Sequence, residues 1–425
     1  MREGRAGIVR GPVPPLLILL LALLLEPSRP GATGGFASPL EQRLQDLAAD
    51  APRDAVALEA LQTFYAGRAH RPLWLDHDGP NRRAHALAIE LRSAERHGLR
   101  PEDYLEPLRE VAAADLAAVE VALSRTLIRY ATDIAVGRVD PRVVDAEIEV
   151  APAPFDPLGL LEKIAGGTPV ATAVGALATA HPGYERLREA LVRLRTGPAG
   201  VPWPRLPPGG TLEVGLEGPE IRTLRRMLEL TGDLEREPPP DAPPADAPEV
   251  FDPALAEAVA RFQHRHGLAP DGRVGARTRA ALAITPAQRI DQITLNLERL
   301  RWLNGDLGER HIFVNLADFN LRMVERGVPI FQTRVVVGAP YHRTPVFTGQ
   351  MTYIEINPYW HVPPSIARDE ILPAVAQDPT YLIEHDMEVL DDWSHEARLL
   401  DPSTVDWRAI PPDQLRFKFR QRPGP

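Results

Sequence analysis

Apolar residues recur at helical spacing through most of the chain between Leu40 and Thr196. Positions three or four residues apart lie on one face of a helix. The apolar positions that follow this spacing are Leu58, Leu61, Phe64, Leu87, Leu91, Leu116, Val119, Leu123 and Leu127. Gly98 follows His97 and is typical of a helix end, because glycine readily adopts the positive φ found there. The pattern predicts a helical domain over residues 40–197.

A second helical unit is predicted over residues 198–286. Residues 198–215 are rich in Pro and Gly and indicate a connecting loop. The Pro-rich stretch 237–248 is too poor in apolar residues to pack, and it predicts a flexible insertion. Three short helices are predicted from their inward-facing positions, which are Ile221, Leu224, Met227 and Leu228, then Leu255, Val259 and Phe262, then Thr278, Ala281 and Leu282.

The spacing of apolar residues along the chain changes after Gly308. Residues 312–315 predict a strand, and two further apolar runs flank Arg326-Gly327, which is typical of a hairpin. Residues 352–356 predict another strand. The predicted fold class is multidomain α+β, with a helical N-terminal domain, a three-helix module and an incomplete β-rich domain over residues 287–425.

Residues 366–410 are predicted to be mostly helical and to cover the β-rich part. Ile371, Val375 and Leu382 are the predicted apolar contacts of this segment.

The first 35 residues have the layout of a signal peptide. Arg2, Arg5 and Arg10 form a positively charged start, and residues 16–25 are an unbroken apolar run. This run would span about 15 Å as a helix, half of the roughly 30 Å hydrocarbon core, which favours a secretory signal over a membrane span. The chain is therefore predicted to be periplasmic, with an uncleaved signal anchor as the alternative.

Composition excludes several kinds of chemistry. The formal net charge of -10 argues against general nucleic-acid binding, which needs basic surface to neutralise phosphates. Cysteine is absent, so these residues hold no disulfide, no Cys-based metal site and no thiol nucleophile. His264 and His266 are two residues apart on a predicted helix and point in different directions. Neither a metal site nor a cofactor is predicted.

Short strings in the two helical units resemble parts of bacterial cell-wall enzymes. The helical domain resembles the scaffold region of large L,D-transpeptidases at Phe64-Tyr65-Ala66-Gly67-Arg68, Pro72-Leu73-Trp74, His97-Gly98-Leu99, Asp103-Tyr104, Arg129-Tyr130-Ala131 and Gly137-Arg138-Val139. The second unit is similar to a peptidoglycan-binding module at Ala258-Val259, Phe262-Gln263, His266-Gly267-Leu268, Asp271-Gly272 and Val274-Gly275. Most residues of the second set are interpreted as packing and turn residues, and the predicted partner is peptidoglycan.

Residues 287–425 resemble the start of an L,D-transpeptidase catalytic domain. The resemblance lies in Asn296-Leu297-Glu298-Arg299, Arg301-Trp302, Val335-Val336-Val337-Gly338, Thr344-Pro345-Val346-Phe347 and the run from Asn357 to Ala367. It implies that a Cys thiolate attacks the carbonyl before D-Ala in a tetrapeptide stem, that D-Ala leaves, and that an amine of a second stem attacks the thioester. The family's His and Cys motifs are expected beyond residue 425. The chain is therefore expected to be an inactive fragment of a peptidoglycan cross-linking enzyme.

Three residues are predicted to contact substrate, and no catalytic residue is assigned. Trp360 offers aromatic contact area, Asn357 offers hydrogen bonds, and His361 stands beside them. Core packing is the alternative for Trp360, and a structural or groove-edge role is the alternative for His361. Glu388 is interpreted as solvated surface.

Two other functions are weighed against the transpeptidase. A non-catalytic peptidoglycan-binding wall protein stays open. A wall hydrolase is disfavoured, because no H-E-x-x-H motif or spaced acid pair is found.

Overall fold

The computed structural model describes residues 37–50, 55–111, 115–150, 152–196, 202–235, 249–303, 307–339, 341, 343–394 and 396–424. The predicted signal peptide and the predicted Pro-rich insertion lie outside these residues. The chain divides into two compact units, one that ends at Thr348 and one that starts at Gly349. Within the described residues, none of the helices combines the length and apolar character needed to cross a bilayer.

The N-terminal region is helical, as predicted. Its helices are α1 (Ala37–Asp50), α2 (Ala55–Gly67), α3 (Arg82–Arg92), α4 (Glu102–Arg109), α5 (Leu116–Ala135), α6 (Pro141–Val144), α7 (Pro157–Ala165), α8 (Val170–Gly175) and α9 (Pro182–Thr196). Two short strands, β1 (Leu75–Asp76) and β2 (Gly79–Pro80), form a hairpin, and β3 (Ile148–Glu149) follows α6.

A buried carboxylate organises the centre of this region. Glu120 of α5 is fully buried and accepts hydrogen bonds from the Tyr65 hydroxyl at 2.7 Å and from the backbone N–H groups of Leu73 and Trp74. Ser124, one turn further along α5, accepts from the Trp74 indole N–H at 2.7 Å. Because a buried charge is tolerated only when it is hydrogen-bonded, these contacts tie α2 and the loop after it to α5.

The three-helix module consists of α10 (Pro219–Thr231), α11 (Pro253–Arg265) and α12 (Ala276–Leu282). Their apolar faces meet in one buried cluster that contains Leu224, Leu228, Val259 and Phe262. Asp252 precedes α11, and its carboxylate accepts from the Leu255 N–H at 2.8 Å and so caps the helix. The prediction of a helical second unit is confirmed.

Helix α13 (Pro286–Trp302) follows the module and packs on α9 of the N-terminal region. It opens with a capping box in which Thr285 and Gln288 bond reciprocally. Leu297 is buried between α13 and α9 together with Tyr184 and Leu191. The helix therefore packs with the N-terminal region, which precedes it by about a hundred residues or more in the sequence.

Polar contacts also hold α13 against the N-terminal region. Arg301 is 2% exposed as a residue, and its guanidinium donates to the His97 carbonyl and to the Tyr184 hydroxyl and pairs with Glu298 at 2.8 Å. Glu298 in turn accepts from the backbone N–H of Arg138 at 2.6 Å. We call these five residues the Arg301 junction.

The first unit ends in a small antiparallel sheet with the order β4-β5-β6, where β4 is Arg310–Asn315, β5 is Asn320–Glu325 and β6 is Val328–Arg334. The predicted hairpin at Arg326-Gly327 joins β5 to β6, and both residues have positive φ. β7 (Val346–Phe347) pairs with β3 of the N-terminal region in parallel.

The strand predicted over residues 352–356 is wrong. These residues are exposed, and they have no pairing partner among the described strands. An alternating pattern makes a strand only when another strand supplies the hydrogen bonds of the ladder.

The second unit is built on an antiparallel sheet with the order β10-β9-β11-β8. Its strands are β8 (Trp360–His361), β9 (Met387–Leu390), β10 (Leu399–Leu400) and β11 (Lys418–Gln421), and its helices are α14 (Pro364–Ile366), α15 (Leu372–Gln377) and α16 (Tyr381–Glu384), with a π-helical turn at Ala367–Ile371.

The helical prediction for residues 366–410 holds only in its first half. Ile371, Val375 and Leu382 are buried against the sheet, as expected. The α-helices end at Glu384, and β9 and β10 follow, because β11 supplies main-chain partners to β9 along its whole length. Beyond β10 the range holds only short 3-10 helices, Pro402–Thr404 and Trp407–Ala409. The fold class as a whole, a multidomain α+β chain with two helical regions and a β-rich C-terminal region, is confirmed.

Replacement of Gly137 by Ala is expected to weaken the fold through the Arg301 junction. Gly137 has φ +100°, and a Cβ there would lie 2.6 Å from Glu298 Oε1. Gly167 has φ +105° with nothing within 4 Å, so Gly167→Ala carries the backbone strain alone. Gly137→Ala should lose about 1–3 kcal/mol more unfolding free energy than Gly167→Ala in denaturant titrations. Equal losses would show that Gly137 is not in tight contact with α13.

Acid is expected to destabilise the N-terminal region through His97. Burial, with Arg188 and Arg301 nearby, lowers the pKa of His97 to about 3 from an ordinary 6.5. A depressed folded-state pKa gives stability that is complete above the unfolded pKa and is lost as the pH falls towards 3. The loss should be about 2 kcal/mol between pH 6.5 and 5.

His97 Nδ1 lies 3.0 Å from the Tyr184 hydroxyl oxygen. His97→Gln should flatten this loss, because Gln keeps a polar partner for Tyr184 without titrating. The measurement is the unfolding free energy across that pH range. The control is His77→Gln, since the His77 side chain is 84% exposed. If His97→Gln and wild type lose stability in parallel, His97 does not carry the effect.

Candidate functional site

The three predicted substrate-binding residues lie close together in the second unit, at the start of its sheet. Trp360 and His361 form β8, the edge strand, where Trp360 pairs with Gln421 and His361 with Arg420. Asn357, three residues earlier, has φ +53°. Asparagine is one of the few residues that enters this left-handed region at small cost.

All three side chains are exposed, but they do not converge on one point. Trp360 is 44% exposed, which rules out core packing for it. Successive side chains of a strand point to opposite faces of a sheet, so Trp360 and His361 face opposite sides. The edge therefore offers a flat aromatic surface on one side and an imidazole on the other.

A charged cluster beside β8 was not predicted. Arg420 lies over the Tyr359 ring, 4.4 Å from its centre, and its Nε donates to Glu388 Oε2 at 2.8 Å. Arg422 Nε donates to the other Glu388 oxygen at 2.7 Å. The bond from Arg422, then that from Arg420, lowers the pKa of Glu388 and keeps the carboxylate ionised.

This cluster corrects the interpretation of Glu388 as solvated surface. Its side chain is only 11% exposed, because β9 and β11 are neighbours and place Glu388 opposite Arg420. The sequence signal was the string Arg420-Gln421-Arg422, whose charges needed an acidic partner. The cluster holds β8, β9 and β11 together, and its one carboxylate is fully engaged with arginine.

The described residues offer neither a thiol nucleophile nor a cluster of metal ligands. The chain has no cysteine. In the described part of the chain, no group of three or more His, Asp or Glu residues is placed to hold a metal ion.

The three-helix module is organised by Gln263, which is 2% exposed. Its amide nitrogen donates to Asp271, to the Arg273 carbonyl and to Thr278 at 2.8–3.0 Å. Its amide oxygen accepts from the Gly272 N–H at 2.9 Å. These bonds explain why Phe262-Gln263 and Asp271-Gly272 occur together in the sequence.

Turn geometry accounts for the glycine at this point. Gly272 has φ +69°, and a Cβ there would lie 3.0 Å from the Ala256 carbonyl oxygen. His266 bonds to the Phe262 carbonyl at 2.7 Å and stacks on the Phe262 ring, while His264 is exposed. His266 is therefore a structural residue of the module.

Three regions of the chain match known protein families. Residues 59–191 match the family model "Scaffold domain", residues 217–282 match "Putative peptidoglycan binding domain", and residues 309–424 match "L,D-transpeptidase catalytic domain". A protein of Haemophilus influenzae described as "Putative L,D-transpeptidase" is 31% identical over 137 residues, which is 31% of this chain and 26% of that protein. The chain thus spans about a quarter of the length of that relative.

Proposed function

We propose that this chain, which carries the scaffold, peptidoglycan-binding and catalytic-domain regions of the L,D-transpeptidase family, binds peptidoglycan in the periplasm as a member of that family. The observation that carries the proposal is the three-helix module. Its core, its Gln263 network and its capped helix α11 are all formed within the described residues. Domains that act on the cell wall imply a location outside the cytoplasm.

The family reaction needs a group that this sequence does not contain. Acyl transfer through a thioester requires a thiolate, and none of the 425 residues is cysteine. The chain as given is therefore proposed to bind the wall without forming the acyl-enzyme. The family reaction, which requires the thiolate, is proposed to be the cross-linking of stem peptides.

We further propose Asn357, Trp360 and His361 as contacts for a stem peptide. An extended peptide can add to the open side of an edge strand through main-chain hydrogen bonds, and β8 is such a strand. Trp360 would then supply an aromatic face, and Asn357 would supply an amide at the end of the strand.

The purified chain is expected to sediment with peptidoglycan sacculi and to form no covalent adduct with a carbapenem. Carbapenems acylate the thiol of L,D-transpeptidases, and this chain has no thiol. Sedimentation is followed by quantitative gel analysis and adduct formation by intact-mass spectrometry. Failure to sediment would refute the wall-binding proposal, and an added carbapenem mass would refute the proposed lack of a nucleophile.

Trp360→Ala is expected to weaken binding of a soluble tetrapeptide stem by about tenfold while leaving the melting temperature unchanged. Trp393→Ala is the matched control, because Trp393 is 38% exposed in the same unit. Isothermal titration calorimetry measures the affinity. If both substitutions have the same effect on binding, the edge strand is not the contact.

A further inference from the structure

Three arginines gather on the surface of the scaffold region where α2 ends. Arg68 and Arg71 belong to the loop after α2, and Arg83 lies in the first turn of α3. Asn81, the N-cap of α3, brings the two segments together, because its side chain donates to the Leu73 carbonyl at 2.9 Å and its N–H donates to the Trp74 carbonyl at 2.8 Å. We call Arg68, Arg71 and Arg83 the basic patch.

The guanidinium groups of the basic patch are held in place by carbonyl oxygens. Arg68 Nε donates to the Arg71 carbonyl at 3.2 Å, and Arg71 Nε donates to the Arg68 carbonyl at 3.0 Å. Arg83 donates to the Ala165 carbonyl at 3.3 Å. Each guanidinium has five N–H donors, so most donors of the patch remain available to a partner outside these contacts.

No carboxylate of the described residues forms an ion pair with the basic patch, although several other arginines of the scaffold region have one. Burial lowers the pKa of Arg68, and the charges of Arg71 and Arg83 act in the same direction. Tyr65 and the buried Glu120 oppose them. Like charges are therefore close together on a protein whose net charge is -10.

The backbone of the loop is strained. Ala69 and His70 have φ +52° and +56°, so two successive residues other than glycine are left-handed. Both are fixed by hydrogen bonds to the end of α2, from Ala69 N–H to the Ala66 carbonyl at 3.0 Å and from His70 N–H to the Tyr65 carbonyl at 2.8 Å. Strain of this kind is concentrated at functional sites, where the surrounding structure maintains it.

We propose that the basic patch is a second peptidoglycan contact, which holds the carboxylates of stem peptides. The name of the ligand rests on the proposed function, whereas the preference for an anion rests on the patch itself. Planar guanidinium forks match carboxylates in a bidentate fashion. The start of α3 adds the positive end of a helix dipole beside Arg83.

A membrane surface fits this patch less well. Leu73, Trp74 and Leu75, the apolar residues next to it, are 0%, 0% and 3% exposed. The patch therefore has no large apolar side chain from this segment to insert between lipids, as interfacial binding requires.

The test compares sacculus binding of full-length Arg71→Glu/Arg83→Glu with that of Arg92→Glu/Arg142→Glu. Both doubles change the net charge equally, and the control residues are exposed on the same region. At low salt the patch variant should bind about tenfold more weakly than wild type, and the control should stay within about twofold. The difference should shrink in high salt, because salt screens exposed charges.

Melting temperatures show whether each variant folds. The neutral variant Arg71→Gln/Arg83→Gln is also measured, because it removes charge without adding repulsion. It should show an intermediate loss. Vesicles of phosphatidylglycerol and phosphatidylcholine provide the membrane arm. Equal sacculus binding by the patch variant and wild type overturns the proposal, and so does patch-dependent binding to vesicles alone. Lack of sacculus binding by wild type would instead overturn the proposed function and this contact with it.

Discussion

The ion pair between Arg301 and Glu298 is the constraint on which the first unit depends. The Arg301 side chain is 1% exposed and the Glu298 side chain 14%, so both have lost most of their hydration. Such a pair is tolerated only because the His97 carbonyl, the Tyr184 hydroxyl and the Arg138 N–H supply further hydrogen bonds. Loss of one partner would leave a buried charge, at a cost of about 3–5 kcal/mol. The pair therefore fixes α13 on the scaffold region with high specificity.

The Arg301 junction indicates a domain boundary different from the one that the sequence predicts. The sequence places α13 at the head of a catalytic segment that starts at residue 287. In the structure α13 packs against α9, and Gly98 and Gly137 make room for its side chains. A Cβ on Gly98 would lie 3.3 Å from Leu297 and Thr294. We propose that α13 is physically part of the scaffold region, and that the β-rich segment is attached to it after residue 303.

Local signals in the sequence predicted local structure well and distant contacts poorly. The helical period found the apolar faces of α3, α10 and α11, because those residues are a few positions apart. On α5 it was less accurate, since Leu127 is buried but Leu116 is 40% exposed. The strings around His97, Gly137 and Arg301 each carry a resemblance, but nothing in the sequence shows that they are in contact, although His97 and Arg301 bond across 204 residues. The exposure of residues 352–356 and the pairing of Glu388 depended on which strands become neighbours. Left-handed backbone at Ala69 and His70 was equally invisible, since neither residue type signals it.

The strand order of the second unit has a consequence for how the polypeptide matures. β11, the last strand in the sequence, lies between β9 and β8, so β8 has no neighbour in the sheet until residues 418–421 arrive. The strand partners of Trp360 and His361 lie about sixty positions later in the sequence. A chain that is made from its N-terminus can complete the first unit early, but this sheet closes only after residues 418–421 have been added. During that interval Val389 and Leu390 of β9, which are buried in the complete sheet, are open to aggregation.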